Sequence, residues 1–306
     1  MAKVHVPGQY IEPNFAKRLK NWIYGKKTPG ECVLYTIVFI IFSLVAFSYV
    51  YMVYWCFISG LKTSRDALLE PMVVHWDTLR FKNYLDVFTF LKAGKVSVWQ
   101  MLGNSLFFAI GGQAISQYFM CTTAYVCVRY KFPGHRWLYF ISFFQMIIPL
   151  YGSGGSAYTL NYKLGLINSY ARILLNVGVV GLGYMYYDSF FQNMSSTYFE
   201  AADIDGANDI QKMLLLGIPL SMSLISALFI MGWVTVWNDY SGVLLYMPKI
   251  PTFAGGIYLF QEDMKYGARA DILYASCFIA CVPPILLYSL CSKMLLSNVS
   301  LGGIKE

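Results

Sequence analysis

Charge is scarce in this sequence. Asp, Glu, Lys and Arg make up only 13% of its 306 residues, against 57% for the apolar types, which is more apolar surface than one soluble core can use. That argues against an ordinary soluble domain and for a membrane protein. Other shortages narrow the chemistry. No G-x-x-x-x-G-K-[ST] stretch is present, so the chain lacks the loop that cradles a nucleotide's phosphates. Its three histidines, His5, His75 and His135, lie too far apart to suggest a metal cluster. The seven cysteines, Cys32, Cys56, Cys121, Cys127, Cys277, Cys281 and Cys291, include no CxxC pair and fall mostly in apolar runs. They read as small packing residues, with neither zinc nor a disulfide framework indicated. No nucleophile and base are spaced to work together, and Asp188, Asp239 and Glu262 read as interfacial residues. The net charge of +7 is spread along the chain and never alternates with aromatics in one patch, which argues against nucleic acid as a partner.

What is present in quantity is long apolar runs. Crossing a bilayer takes about 20 mainly apolar residues, and six stretches qualify: 32–58, 101–128, 137–158, 167–191, 214–237 and 272–295. Gln113 and Gln117 in the second, Gln145 and Pro149 in the third and Asn176 in the fourth predict helices that face one another or a cavity, with interhelical hydrogen bonding the simpler reading. The run from Cys32 to Ile58 is too long for a signal-peptide core and no cleavage pattern follows it, so it is expected to remain as an anchor helix. The expected fold is an all-α membrane protein of six transmembrane helices. A basic tail over residues 1–31 precedes a transmembrane domain over 32–306.

The tail carries Lys3, Lys17, Arg18, Lys20, Lys26 and Lys27 against Glu12 and Glu31, which predicts a cytoplasmic N-terminus. Arg129, Lys131 and Arg136 between helices two and three agree with it. With six spans both termini are then cytoplasmic. A loop of about forty residues after helix one, containing Pro71 and Trp76, is expected to hold short amphipathic pieces at the membrane surface. Pro133-Gly134 marks a tight turn, and Gly152 to Ser156 and Lys163 to Leu166 interrupt the chain between helices three and four, so helix three is expected to end early.

Between the fourth and fifth spans lies a polar island, about residues 195–220. Glu200, Asp203 and Asp205 fall close together, and Asp209 follows. Carboxylates are expensive inside a bilayer, so this segment belongs at an aqueous surface. Thr197-Tyr-Phe-Glu200 fits the S/T-x-x-E capping box. Gly206 is placed to end or bend the helix. The pattern predicts a short helix, a kink and a second helix from about Asn208 to Leu216, with a new helix starting near Pro219. On residues alone, a plain connector explains the island as well as a docking element does.

A resemblance decides between them. Glu200-Ala-Ala-Asp-Ile-Asp-Gly-Ala207 with the downstream Ile218-Pro219-Leu220 resembles the EAA loop of permease subunits from bacterial ATP-binding cassette importers, and within them the carbohydrate branch typified by the second permease of maltose importers. Asn104-Ser105, Ala124-Tyr125, Arg129, Phe132-Pro-Gly134, Pro149, Leu164-Gly-Leu166, Trp237-Asn-Asp239 and Gly303-Ile-Lys305 follow the same branch in order. The similarity covers roughly residues 35 to 306. Two departures are a missing second proline after Pro219 and a segment unusually rich in glycine at 152–156.

The resemblance implies a multi-pass protein of the bacterial plasma membrane that is not an enzyme. It implies one half of a translocation path, paired with a second permease, fed by an extracytoplasmic solute-binding protein and driven by a dimer of a separate ATPase. ATP would bind that partner, leaving no cofactor in this chain. Glu200, Ala201, Ala202, Asp203, Asp205, Gly206 and Ala207 would form the cytoplasmic coupling helix that docks in the ATPase, with Glu200 capping and making a polar contact, Ala201 and Ala202 permitting close approach, and Gly206 bending the chain. A sugar or oligosaccharide is the implied solute. The resemblance names no substrate-contacting residue, and the 25 Tyr, 22 Phe and 7 Trp read mainly as packing and interfacial belt. The alternatives are a noncarbohydrate solute carried by the same machine, an ion-coupled secondary transporter, and a membrane enzyme. The last two lack an intramembrane acidic pair or a ligand cluster.

Overall fold

The computed structural model describes residues 29–130, 132–148, 154–178, 180–263 and 269–299, and the chain divides after Tyr54 into two units. The described part of the first unit is helical and belongs to α1 (Pro29–Leu61). Pro29 opens the helix where a missing N–H does no harm, and no proline follows within it. From Gly30 to Met52 its side chains are exposed on every side, with Phe39 at 66% and Phe42 at 69%. A helix apolar all round is at home in lipid.

In the second unit, α2 (Ser64–Leu69), a 3₁₀ turn at Trp76–Thr78, α3 (Lys82–Phe90) and a two-residue antiparallel ladder of β1 (Lys92–Ala93) with β2 (Val96–Ser97) follow the end of α1. The long loop therefore does contain short helices. It is a folded cap, and α3 is amphipathic, turning Val87 into a core and leaving Leu85 and Phe90 exposed. Val87 and Leu91, both fully buried, pack with Met101, Trp233, Phe253, Ile272 and Ala275. The cap also satisfies the carbonyls that end α1: Asn83 Nδ2 donates to Gly60 O at 3.0 Å and to Lys62 O at 2.8 Å, and the Arg80 amide donates to Leu61 O at 2.7 Å. Lys62 is itself buried, donating Nζ to Pro71 O at 2.8 Å and to Glu70 O at 3.2 Å. Burial holds its ammonium below the ordinary lysine value, while Asp66 and Glu70 pull it back up.

Next, α4 (Val98–Leu106), a π turn at Phe107–Gly111 and α5 (Gly112–Tyr130) form one unbroken helical path through the expected second span. Then come α6 (His135–Ile147), α7 (Gly154–Lys163), a 3₁₀ segment at Tyr170–Asn176 and α8 (Leu182–Gln192). Helix three ends early, as expected. For span four the expectation is corrected: it is not a continuous helix over 167–191. Ile148 is already extended at the end of α6. Leu164-Gly-Leu166 is the C-cap of α7: Gly165 takes φ +67°, and the Leu166 amide reaches back to Asn161 O at 2.9 Å. Gly181, at φ +124°, starts α8 afresh. Averaged hydropathy does not register such breaks. Pro149, Gly152, Lys131 and the closing Gly303-Ile-Lys305 lie outside the described residues, as do residues 1–28 of the tail.

The chain continues through α9 (Thr197–Ile204), α10 (Asp209–Lys212), a π turn at Met213–Gly217, α11 (Ile218–Asn238), α12 (Ser241–Tyr246), α13 (Phe253–Asp263) and α14 (Ala270–Val299). Among the described residues, Gly30–Leu61, Asp209–Asn238 and Ala270–Cys291 are long and apolar enough to cross a membrane. They match the first, fifth and sixth expected spans. Gln117 behaves as an interhelical partner, Tyr187 Oη of α8 donating to its Oε1 at 2.8 Å, while its Nε2 donates within α5 to Gln113 Oε1 at 3.4 Å. Trp237 stacks on Trp233 with centroids 5.0 Å apart and donates to Ala280 O at 3.1 Å. Asp239 accepts from the Gly242 amide at 2.9 Å, which makes it a helix cap.

Candidate coupling site

The acidic island folds as a hairpin of two short helices joined without a free residue. At the close of α9, the Gly206 amide donates to Asp203 O at 3.1 Å and the Ala207 amide to Ala202 O at 2.9 Å. That pair of bonds is a Schellman motif, and it needs a left-handed residue in the middle. Gly206 supplies it with φ +75°. The next residue caps the next helix. Asn208 Oδ1 accepts from the Gln211 amide at 2.9 Å, and Gln211 Oε1 accepts from the Asn208 amide at 2.8 Å. This reciprocal capping box begins where the Schellman motif ends, so the connector has nowhere to flex.

The expected helix–kink–helix is therefore present, with two corrections. The capping box lies at Asn208 and Gln211, not at Thr197 and Glu200. Thr197 is already inside α9, and its amide donates to Ser195 Oγ at 3.3 Å. Glu200 is exposed rather than reaching back to a cap. The second correction concerns Pro219. No separate helix starts there, because Asp209–Asn238 is helical throughout. The π turn precedes Pro219, its Ile218 amide bonding to Met213 O five residues back. A wider turn at this point accommodates a residue that has no N–H to give.

Of the other expected site residues, Ala201, Asp205 and Gly206 are exposed, Ala207 is half-buried, and Ala202 is buried. Asp203 forms an ion pair with Lys212 across the hairpin, and Asp209 Oδ1 lies 3.4 Å from the same ammonium. Lys212 thus ties the two arms together. The tip presents Ile204 at 87% exposure and Ile210 at 65%. Two bare isoleucines thus flank the acidic bend, and charge patterning gives no hint of them.

Phe199 anchors the hairpin. Only 1% exposed, it packs in a core with Tyr125, Tyr184, Tyr187 and Phe191. The Arg129 guanidinium covers its ring at 3.7 Å, a cation–π contact that contributes about 0.5–2 kcal/mol. Tyr125 lies between Phe199 and Phe191, 6.0 and 5.4 Å from their centroids. On its far side Tyr125 meets the π turn, where a Cβ at Gly217 would come within 2.9 Å of its ring. One tyrosine of α5 therefore touches α8, the hairpin and the root of the long helix. We expect Phe199→Ala to destabilise the hairpin's seat by about 3–5 kcal/mol. Limited proteolysis should then cut between residues 195 and 210 in membranes where the wild-type chain resists. Equal resistance would show that the hairpin does not depend on this side chain.

The fold and the site define an all-α multi-pass membrane protein with a stiff acidic hairpin seated between its helices. Residues 119–299 match the family of binding-protein-dependent transport system inner membrane components, and the chain belongs to that family. It is a transport permease of the plasma membrane and not an enzyme, and the family has no cofactor of its own. Over 266 residues it is 23% identical to the arabinooligosaccharides transport system permease protein AraQ of Halalkalibacterium halodurans, covering 86% of this chain and 94% of that protein. Over 262 residues it is 26% identical to the diacetylchitobiose uptake system permease protein NgcG of Streptomyces coelicolor, covering 82% of each. Its fold resembles a chain of a bacterial ABC transporter involved in the import of the acidic polysaccharide alginate, with a TM-score of 0.72 at 19% identity, over 88% of this chain and 98% of that one.

Proposed function

We propose that this permease forms half of the translocation path for a sugar or oligosaccharide. In this reading it has six spans with both termini in the cytosol, and its hairpin enters a cleft of a separate ATPase dimer that binds the ATP. A second permease completes the path and an extracytoplasmic solute-binding protein delivers the solute. The observation that carries the reading is the hairpin itself: an element with back-to-back caps, anchored by Phe199 and exposing Ile204, Ile210 and Glu200, transmits rigid-body motion where a loose loop would absorb it. Glu200, Ala201, Asp205, Gly206 and the two isoleucines form the proposed docking face. Ala202 and Ala207 shape it from within, and Asp203 braces it through Lys212. The carbohydrate class is supported by relatives that carry arabinooligosaccharides and diacetylchitobiose.

Reconstitution tests this directly. Vesicles holding both permeases and the ATPase, given the binding protein and ATP, are expected to accumulate labelled oligosaccharide, and leaving out any one component should stop it. Accumulation by this chain alone under an ion gradient would overturn the proposal.

A further inference from the structure

Beside the hairpin, α5, α6 and α8 border a half-open cavity of about 860 Å³ that the proposed coupling role does not use. Arg129, His135, Arg136, Tyr139, Asp188 and Gln192 are among the residues that line it. Two fixed positive charges face one negative charge, and that negative charge is already engaged. Asp188 is only 5% exposed and accepts a hydrogen bond from Gln192 Nε2 at 2.6 Å. Arg136 is exposed and has no acidic partner among the described residues. His135 Nδ1 donates to Phe132 O at 2.7 Å, which holds its ring at the cavity wall.

An uncompensated guanidinium beside a histidine and a tyrosine hydroxyl suits a phosphate group, because charge-assisted hydrogen bonds to phosphate are the strong ones. The surroundings identify the source of that phosphate. Next to Arg136 on α6, Trp137 is 69% exposed, and Phe140, which also lines the cavity, is 50% exposed. Farther along, Phe143, Phe144 and Ile147 are also exposed. The cavity therefore opens beside an aromatic and apolar helix face of the kind that follows acyl chains away from a headgroup. We propose that this cavity binds the headgroup of an anionic phospholipid, with Arg136 as the main contact. That lipid belongs to the inner leaflet, a placement that rests on the orientation in the proposed function.

The site has a consequence for coupling. Arg129 lines the cavity and covers Phe199 with the same guanidinium, so a bound headgroup would sit one residue away from the anchor of the hairpin.

Native mass spectrometry of the assembled transporter, titrated with phosphatidylglycerol or phosphatidylcholine, tests the proposal. Wild-type complex is expected to retain phosphatidylglycerol in preference to phosphatidylcholine. Arg136→Gln should weaken that retention about tenfold and Arg136→Lys much less. Only intact assemblies are counted, so a variant that misfolds cannot imitate the loss. Equal retention by wild type and Arg136→Gln would overturn the site. Displacement of the lipid by an equal concentration of inorganic phosphate would overturn the lipid as its source. Orientation is read separately, by labelling Asp205→Cys with an impermeant thiol reagent. Labelling from the outer face would sink the leaflet assignment and the coupling proposal while leaving the measured lipid affinity standing.

Discussion

Gly206→Val is expected to abolish most uptake while leaving the amount of protein in the membrane unchanged. The reason is conformational and not steric. A Cβ at this position meets nothing within 4 Å, yet φ is +75°, and a β-branched residue held there is strained by about 1–3 kcal/mol. The Schellman motif can relieve that strain only by opening. Opening it would free the Ala207 and Gly206 amides and tilt the tip that carries Ile204 and Asp205. If the tip is the docking face, coupling should fall about five- to a hundredfold, as far as the strain exceeds thermal energy. Gly206→Asn is the control, because asparagine tolerates the left-handed region; it should retain most activity. Uptake and ATPase stimulation measured in the same vesicles decide the matter. Wild-type values for the valine variant would remove the hairpin from the mechanism.

Gly60→Val should have the larger effect on the protein itself, namely loss of folded chain. Here the obstruction is backbone. A Cβ on Gly60 would lie 2.9 Å from both the Cα and the N of Ala275 on α14, and 2.9 Å from Tyr84 Oη. Tyr84 is held in place by donating to Phe57 O at 2.8 Å, and Ala275 is fully buried. Helices in membranes associate through such close approaches of small residues, and overpacking a closed contact costs about 1–3 kcal/mol even where side chains can yield. Neither backbone atom can yield. Gly103→Ala is the opposite case. That glycine is helical, and a Cβ added to it would meet nothing within 4 Å, so the change should stabilise by a few tenths to about 1 kcal/mol. Thermal unfolding of the two variants in detergent should move in opposite directions, and a shared direction would contradict the packing described for α1 and α14.

How much of this is legible in the sequence depends on distance along the chain. Gly206 and the two-helix hairpin are readable, because a Schellman bend is specified by residues within one turn of each other. The long outer helices are readable because apolar length is a local sum. The capping-box pattern points to the wrong residues although it matches, since the Ser195 hydroxyl takes the Thr197 amide in place of the Glu200 carboxylate and the Glu200 amide donates to Ser196 O at 3.0 Å. Span four looks continuous because a hydropathy window averages over Gly181, whose positive-φ backbone starts a new segment inside it. Phe199 is not recognisable as the anchor at all. Its role depends on Arg129 and Tyr125, some seventy residues earlier. In the sequence Arg129 shows only as a charge favouring one side of the membrane and as part of a family pattern. Lys62 reads as loop charge, and only the fold turns it inward.

The wide turn at Met213–Gly217 stores one residue of slack in the rod that runs up from the hairpin. Each residue of a regular helix advances the spiral by about 100°, so rewinding that slack would spin α11 against the hairpin by up to about that angle. Tyr125 sits against Gly217 at the place where that slack is held, so one side chain both seats the hairpin and borders the loosest turn of the rod above it.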